Sequence, residues 1–507
     1  DSDTAAVSTI TGSGVYNIVG DIRAADGGIL TLDLAEGSRF EGKAVLDSGN
    51  DSQSTLTMAK NSLWTLTGNS QLNSLQNEQS VIDMTGDNKA FSTLSVETLT
   101  GNGGTIIMDI DGSQVDASDK IYVTGDFSGS QTLSLKEING LDSDPGIAQA
   151  AENTVLASVN GSGTFTADDQ EGTLYWQRYE LGQKDSAASG YTTDWYLKGI
   201  TNLNLPTTSV EAIAASGALA YHTWRDHDQL LQRLGDLRQH GREEEGVWVR
   251  VKGGKLSRSD QFEFENKYTQ YELGYDQKLK STPAYTRYAG ISFSYLDGDS
   301  SYSSGSGENK VKALNIYGTQ IGAKGHYLDL VLKYSQLDND FKVFDTSGNK
   351  ITGDYDQNGL SISAEYGRKN NLKNNWYIEP QAQLTFGRLR GTDYTTSNGI
   401  RVDQDGIDSF VGRIGFNIGK DINEKTNIYL KANLMHEFGG GYNASMVDAG
   451  GTKARLDRDF DDTWFEYGLG AAVQTGKNNY FYVDVERSAG SDYKKDWQWN
   501  VGARWSF

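Results

Sequence analysis

No cysteine occurs among the 507 residues, which removes disulfides, thiolate catalysis and cysteine metal sites together. The absence also suits a chain that stays unfolded in an oxidising compartment before assembly. Positive charge is scarce: 46 Lys and Arg stand against 68 Asp and Glu, a net charge of −22, so nucleic acid is excluded as a partner. No apolar run approaches the ~20 residues that a spanning helix needs. Spans built from strands stay open, because only alternate residues face lipid and such a chain averages out polar. The five histidines (His222, His227, His240, His326 and His436) make no metal-ligand cluster. Gly-x-Ser-x-Gly, a P-loop and a strand-to-helix Gly-x-Gly-x-x-Gly are all missing. Neither a catalytic residue, a metal nor a cofactor is therefore expected. The chain opens at Asp1 without a charged n-region or an apolar h-region, so a removed leader and a longer parent protein are both expected.

What is present falls into four segments. Residues 1–140 read as short alternating strands parted by Gly, Asn, Asp and Ser, recurring about every 8–12 residues. Residues 27–34, 54–58, 62–69, 80–84, 91–96 and 105–110 are the clearest. Three such strands make one turn of a parallel β-helix, in which each coil buries its apolar edge on its neighbours. A β-sandwich is the plainer alternative. Asp142-Ser-Asp-Pro-Gly146 then breaks the run, and the aromatic stretch within 141–205, with Phe165, Trp176, Tyr179 and Trp195, reads as a cap over the last coil.

Residues 206–245 form the third segment. Pro206 punctuates, and Thr208-Ser-Val-Glu211 is a capping box. A helix from Thr208 to about His240 would reach roughly 50 Å at 1.5 Å per residue. Arg225, Asp226, Asp228, Arg233 and Arg238 interrupt its apolar face, which points to a polar, enclosed setting.

From 246 to 507 the strands lengthen and alternate strictly. Leu328, Leu330, Leu332 and Tyr334 alternate with Asp329, Val331 and Lys333, and Trp497 to Phe507 repeats the pattern at the carboxy end. Apolar outside, polar inside and turn residues between are the marks of a transmembrane barrel. At about 22 residues per strand and turn the segment holds about twelve strands, an even number as bacterial barrels have. A soluble barrel of this size would carry a polar exterior.

With these segments in place, the sequence resembles the monomeric autotransporters of the pertactin type (type V secretion). The strongest motifs are Arg233-Leu-Gly-Asp-Leu-Arg238, Tyr327-Leu-Asp-Leu-Val-Leu-Lys-Tyr334 and Gly359-Leu-Ser-Ile-Ser-Ala-Glu-Tyr-Gly367. Trp376-Tyr-Ile-Glu-Pro-Gln-Ala-Gln-Leu384, His436-Glu-Phe-Gly-Gly440 and Trp505-Ser-Phe507 belong to the same pattern. Trp64-Thr-Leu-Thr-Gly-Asn-Ser70 and Ser118-Asp-Lys-Ile-Tyr-Val-Thr-Gly125 resemble late passenger coils, and the section ending at Leu197 resembles an autochaperone cap. The resemblance implies an all-β chain with one long helix: a right-handed parallel β-helix stub, then a roughly 12-stranded outer-membrane barrel plugged by the helix. It implies secretion and surface display of the chain's own passenger, which acts as an adhesin; a secreted protease or esterase with its catalytic part upstream is the other reading. The implied partners are outer-membrane lipids, the β-barrel assembly machinery, periplasmic chaperones and a host or cell-surface receptor.

Three sets of residues are singled out. Glu365, Glu379, Glu437, Glu466 and Glu486, with Arg250, Arg413 and Arg504, fall at positions read as inward. Charges at membrane depth must line water or pair, so they are expected to hydrate the lumen and hold Arg233 and Arg238 of the helix. Aligned on the Gly-Asp-Leu-Arg motif, the self-cleaving Asn-Asn pair of one subgroup of the family falls on Asp228-Gln229. An aspartate lacks the attacking amide nitrogen, so Asp228 is read instead as a carboxylate facing the lumen. Val501, Ala503, Trp505 and Phe507 make up the terminal signal for the assembly machinery.

Overall fold

In a computed structural model, the structure describes residues 6–47, 51–86, 90–139, 153–226, 229–230, 245–476 and 479–507. Asp142 to Gly146, and with them the break between coils and cap, lie outside these. The chain divides into two compact units, the first running to Thr207 and including Ala449–Thr452, the second comprising Thr208–Asp448 and Lys453–Phe507.

In the first unit, two stacks of parallel strands run side by side. One carries Val7–Ile10, Ile29–Leu34, Gln53–Met58, Ser70–Asn77, Thr93–Thr100, Lys120–Phe127 and Val155–Gly161; the other runs from Asn17–Val19 to Thr164–Ala167. Alternation puts Leu32, Leu56, Trp64, Ile82, Leu94 and Ile106 inside with none of their surface exposed, and Phe40 stacks on Trp64 at 5.6 Å. This is the solenoid, since a sandwich would pair its strands antiparallel. One corner is polar and fully buried. Asn77 Nδ2 donates to Gln131 Oε1 at 2.7 Å, and Gln131 Nε2 donates to the Gly101 carbonyl at 2.9 Å. Gly101 has a φ of +111°, and a Cβ there would lie 2.4 Å from the Asn77 carbonyl oxygen, so only glycine fits.

Asp119 ties neighbouring coils together. Its carboxylate accepts from the backbone N–H groups of Ser92 at 2.6 Å and Asp109 at 2.7 Å. Burial pushes its pKa up to about 7, with nearby Asp109 and Asp83 adding to the rise against the lowering effect of those two N–H donors. The parallel stack stops where Val155–Gly161 pairs antiparallel with Thr193–Pro206, which in turn pairs with Tyr175–Asp185. Phe127, Phe165 and Trp195 fill the end, with centroids 4.5 and 5.5 Å apart.

The second unit is a closed barrel of twelve antiparallel strands. Gly246–Arg258 pairs with Tyr493–Ser506 and shuts the cylinder. Short turns join strands at the Gly246 end, while the loops at residues 389–407 and 437–462 mark the other. Short turns face the periplasm in such barrels and long loops face outward. The long loops carry a four-stranded sheet of Thr392–Thr395, Arg401–Gln404, Gly441–Val447 and Lys453–Asp459, which sequence reading missed.

Near the periplasmic end, six aromatic side chains each lie on a glycine directly opposite: Trp248 on Gly274, Tyr317 on Gly290, Tyr327 on Gly367, Tyr377 on Gly419, Tyr429 on Gly470 and Tyr482 on Gly502. A Cβ at any of these glycines would stand only 2.2–2.5 Å from the ring. Each ring therefore lies along the wall instead of across the bore.

Candidate functional site

Five neighbouring strands, from Phe264–Ser281 to Lys350–Arg368, run to 18 or 19 residues. At ~3.4 Å per residue and ~40° of tilt they overshoot the ~25 Å apolar band of an outer-membrane barrel. Their polarity inverts along the way. In His326–Phe344, Leu328, Leu330, Leu332 and Tyr334 are exposed toward lipid. Beyond Ser335 the outward positions become Gln336, Asp338, Asp340 and Lys342, while Leu337, Phe341 and Val343 are buried inside. Phe264–Ser281 does the same, with Tyr271, Leu273 and Tyr275 outward below and Phe264 and Tyr268 inward above. The lower part thus has a greasy outside and a polar bore. The upper part is built as a water-soluble barrel is, with an apolar interior.

That interior holds the helix. Thr208–Trp224 is helical, and every residue from Ser209 to Trp224 except Glu211 is buried. Its Ala- and Gly-rich middle (Ala212, Ala214, Ala215, Gly217, Ala218, Ala220) lets the wall come close. Gly217 abuts the Tyr442 ring, and the Trp224 indole lies against the bare backbone of Gly359 and Gly387. Ser216 Oγ and Tyr355 Oη are hydrogen-bonded at 2.9 Å, Asn398 Nδ2 donates to Ser209 Oγ at 2.9 Å, and Tyr221 stacks on Phe460 at 5.1 Å. The expectation of a polar enclosure is corrected for this stretch. The interrupting charges begin only at Arg225, and what precedes them is apolar enough to form a core.

The helix also breaks earlier than its pattern suggests. Arg225 closes the last turn and Asp226 is non-helical; helical geometry returns at Leu230. Wall groups take over at the break. Arg225 lies 3.5 Å from Glu437 and over the rings of Trp464 (4.5 Å) and Tyr493 (5.2 Å). Asp226 pairs with Lys252 and stands 3.9 Å from Lys495, and Lys333 reaches its carbonyl at 3.5 Å. The Leu230 N–H donates to Glu365 at 2.9 Å.

All eight charges read as inward are buried in the lumen wall. Glu365 accepts from Tyr327 and lies 3.1 Å from Arg413, whose guanidinium also binds Gln381, Gln383 and Asn433. Glu486 pairs with Lys431 and Lys495, and Glu466 stands 3.4 Å from Lys495. Arg250 pairs with Glu272, Arg504 with Asp276, and Glu379 accepts from Gln381 at 2.8 Å. Glu437 gathers Tyr221 Oη at 2.6 Å, Ser409 Oγ at 2.7 Å and the Phe410 N–H at 2.7 Å. Asp228, Arg233 and Arg238 lie outside the described residues; Gln229 is buried. Sequence reading missed Tyr221, Arg225 and Asp226 as the plug-side partners, and Lys252, Lys431 and Lys495 on the wall. Inward alternation in 246–258 and 426–437 was the signal for Lys252 and Lys431. Val501, Ala503, Trp505 and Phe507 face outward, with Trp505 and Phe507 the most exposed.

The family profile described as Autotransporter beta-domain matches residues 247–486, and the one described as Pertactin matches residues 72–199. The "Probable autotransporter YcgV" of Escherichia coli is 28% identical over 548 residues, covering 100% of this chain and 55% of that protein. The "Pertactin autotransporter" of Bordetella bronchiseptica is 28% identical over 544 residues, covering 96% and 56%. The chain spans about half the length of the curated relatives it matches. Other relatives are named serine protease autotransporters of Escherichia coli. Among solved structures, the beta domain of the Bordetella autotransporter BrkA aligns with a TM-score of 0.45 at 27% identity, over 52% of this chain and all of that one.

Proposed function

Because this chain belongs to the autotransporters of the pertactin type, we propose that its barrel exports and displays the β-helical segment that precedes it. The barrel lies in the outer membrane and the passenger on the cell surface. The observation that carries the proposal is the closed twelve-stranded cylinder whose bore is polar at membrane depth and takes in the helix that follows the solenoid. The outer membrane has no ATP supply, so folding of the passenger outside supplies direction. A solenoid can propagate coil by coil from the aromatic cap of Phe127, Phe165 and Trp195. The inward charges hydrate the bore and fix the segment after Trp224, which extends the anchoring role from Arg233 and Arg238 to Arg225 and Asp226. The Asp228-Gln229 junction stays intact, and a barrel fragment beginning at Gln229 in purified membranes would overturn that. The assembly machinery reads the terminal strand, and periplasmic chaperones hold the chain before insertion. The passenger serves adhesion to a host or cell-surface receptor.

External protease on intact cells tests the topology. Residues 1 to about 200 should be lost while the remainder stays protected; loss of both or neither refutes it. The relatives named as serine proteases favour a second reading, in which a catalytic part lies upstream. A Gly-Asp-Ser-Gly stretch in the full gene would select the enzyme, and repeated coils without one the adhesin.

A further inference from the structure

The lipid-facing wall is not uniform. On the strands Ile407–Asn423, Thr426–Glu437, Asp462–Gln474 and Asn479–Ala489, small side chains stand between large ones. Ala471 lies directly opposite both Ile428 and Val483, and Ala432 opposite both Phe416 and Tyr467. A methyl between two bulky neighbours leaves a trough. The trough over Ala471 has a volume of about 430 Å³, with Leu430 and Leu469 along its sides. It continues into a second hollow of about 590 Å³ past Leu430 and Leu469 toward Tyr467 and Arg487.

The trough opens at the periplasmic rim beside Trp376 and Lys420. Lys420 closes the outward row of Ile414, Phe416 and Ile418 on its strand. Its ammonium lies 5.6 Å from the Trp376 ring centroid, and among the described residues it makes no ion pair. The adjacent acid, Asp421, is engaged by Lys369 at 3.7 Å. Tryptophan at the headgroup level and an unpaired lysine beside it form the polar end of an amphiphile site. The apolar trough that leads from them into the hydrocarbon region forms its other end.

We propose that this furrow holds one phospholipid of the periplasmic leaflet, with its phosphate on Lys420 beside Trp376 and an acyl chain along the trough over Ala471. The furrow's outer end also carries a cation, Arg487, which is exposed and likewise makes no ion pair among the described residues. It sits three strands away and four residues beyond Val483, the position in register with Lys420 through Ile428 and Ala471, so about 20 Å of wall separates the two cations and they cannot serve one headgroup. Lys420 is the headgroup site because its ammonium stands 5.6 Å from the Trp376 ring centroid, a tryptophan and a cation together at the headgroup level.

The test is native mass spectrometry of the full chain, released from detergent micelles after exchange into phosphatidylglycerol of defined chain length. One phospholipid per chain should survive the activation that strips the rest. Lys420→Glu should lower the retained fraction about fivefold or more, the loss expected for one surface cation facing an anionic lipid. Ala471→Trp, which fills the trough, should abolish retention. Ala289→Trp, outward on the far side of the barrel, and Arg487→Glu should keep it. Heat-modifiable gel mobility confirms folding of each variant, and Ala471→Leu replaces the tryptophan variant if that one fails to assemble. No retained lipid in the unaltered chain, equal retention in all variants, or loss with Arg487→Glu but not Lys420→Glu each overturn the proposal.

Discussion

Arg225 lies 3.5 Å from Glu437 with both side chains out of solvent, and Tyr221 donates to the same carboxylate at 2.6 Å. The first and last residues of the plug's final helical turn, joined by the Arg225 N–H on the Tyr221 carbonyl, thus converge on one wall residue. Glu437 sits at the foot of the long 437–462 loop, where the apolar upper interior gives way to the charged bore.

Removing that carboxylate's charge should loosen the plug. Glu437→Gln leaves Arg225 buried among rings without its counter-ion, a situation that typically costs about 3–5 kcal/mol. The urea midpoint of the barrel should fall, and conductance in planar bilayers should rise. Glu379→Gln, at a residue that accepts from Gln381, should do markedly less. Unchanged midpoint and conductance in both variants would show that the plug is held elsewhere.

The seat of Trp224 is equally specific. A Cβ at Gly359 would stand 2.0 Å from the indole nitrogen, so Gly359→Val must displace the ring or the strand. Overpacking of this kind costs about 1–3 kcal/mol. Faster protease cleavage of the helix in the detergent-solubilised chain is the expected reading, with the heat-modifiable barrel still present.

The passenger should be more stable in mild acid than at neutral pH. The Asp119 carboxyl is held near 7 when folded, above the ~3.9 of an unfolded aspartate, so the folded state binds the proton more tightly. That contribution is complete below the unfolded value and fades as pH climbs through 7, at up to about 1.4 kcal/mol per pH unit in between. Urea titration of the full chain at pH 5 and pH 8, read by passenger protease resistance, should show the difference. Asp119→Asn should flatten it, and a slope that survives the substitution would assign the effect to other groups.

Loss of the terminal residue should lower assembly. The Phe507 side chain is exposed, and its N–H donates to the Glu245 carbonyl at 3.0 Å. Deleting it removes little from the finished barrel, so a drop in the amount of heat-modifiable protein in membranes would report on recognition before insertion. Equal amounts with and without Phe507 would leave the terminal strand as wall only.

The twelve strands and the solenoid were legible because alternation is a local signal, and Leu328 to Tyr334 or Thr105 to Ile110 display it without help from the rest of the chain. The eight inward charges followed from the same period. The inversion near Ser335 was not visible as such. A strand with leucines on one face and then Leu337, Phe341 and Val343 on the other keeps its period of two and changes only its phase, which depends on where the membrane ends. The plug was misjudged for a related reason. Averaged to His240, the helix looks too charged for an apolar setting, yet its charges are segregated, and Thr208–Trp224 has almost none. The sheet over the mouth joins segments some forty residues apart, Arg401–Gln404 with Gly441–Val447, and no local pattern announces that pairing.

The six aromatic-glycine contacts each fall within one of the barrel's six successive hairpins, counted from the one that Gly246–Arg258 and Phe264–Ser281 form, and the two strands of every such hairpin are joined by an outer loop. Every hairpin is thus stapled by its loop above and clasped by a ring on bare backbone below. The wall is six hairpins laid edge to edge, each locked at both ends and joined to its neighbours by antiparallel ladders, and at the closing seam the Trp499 ring lies on Gly253 as well.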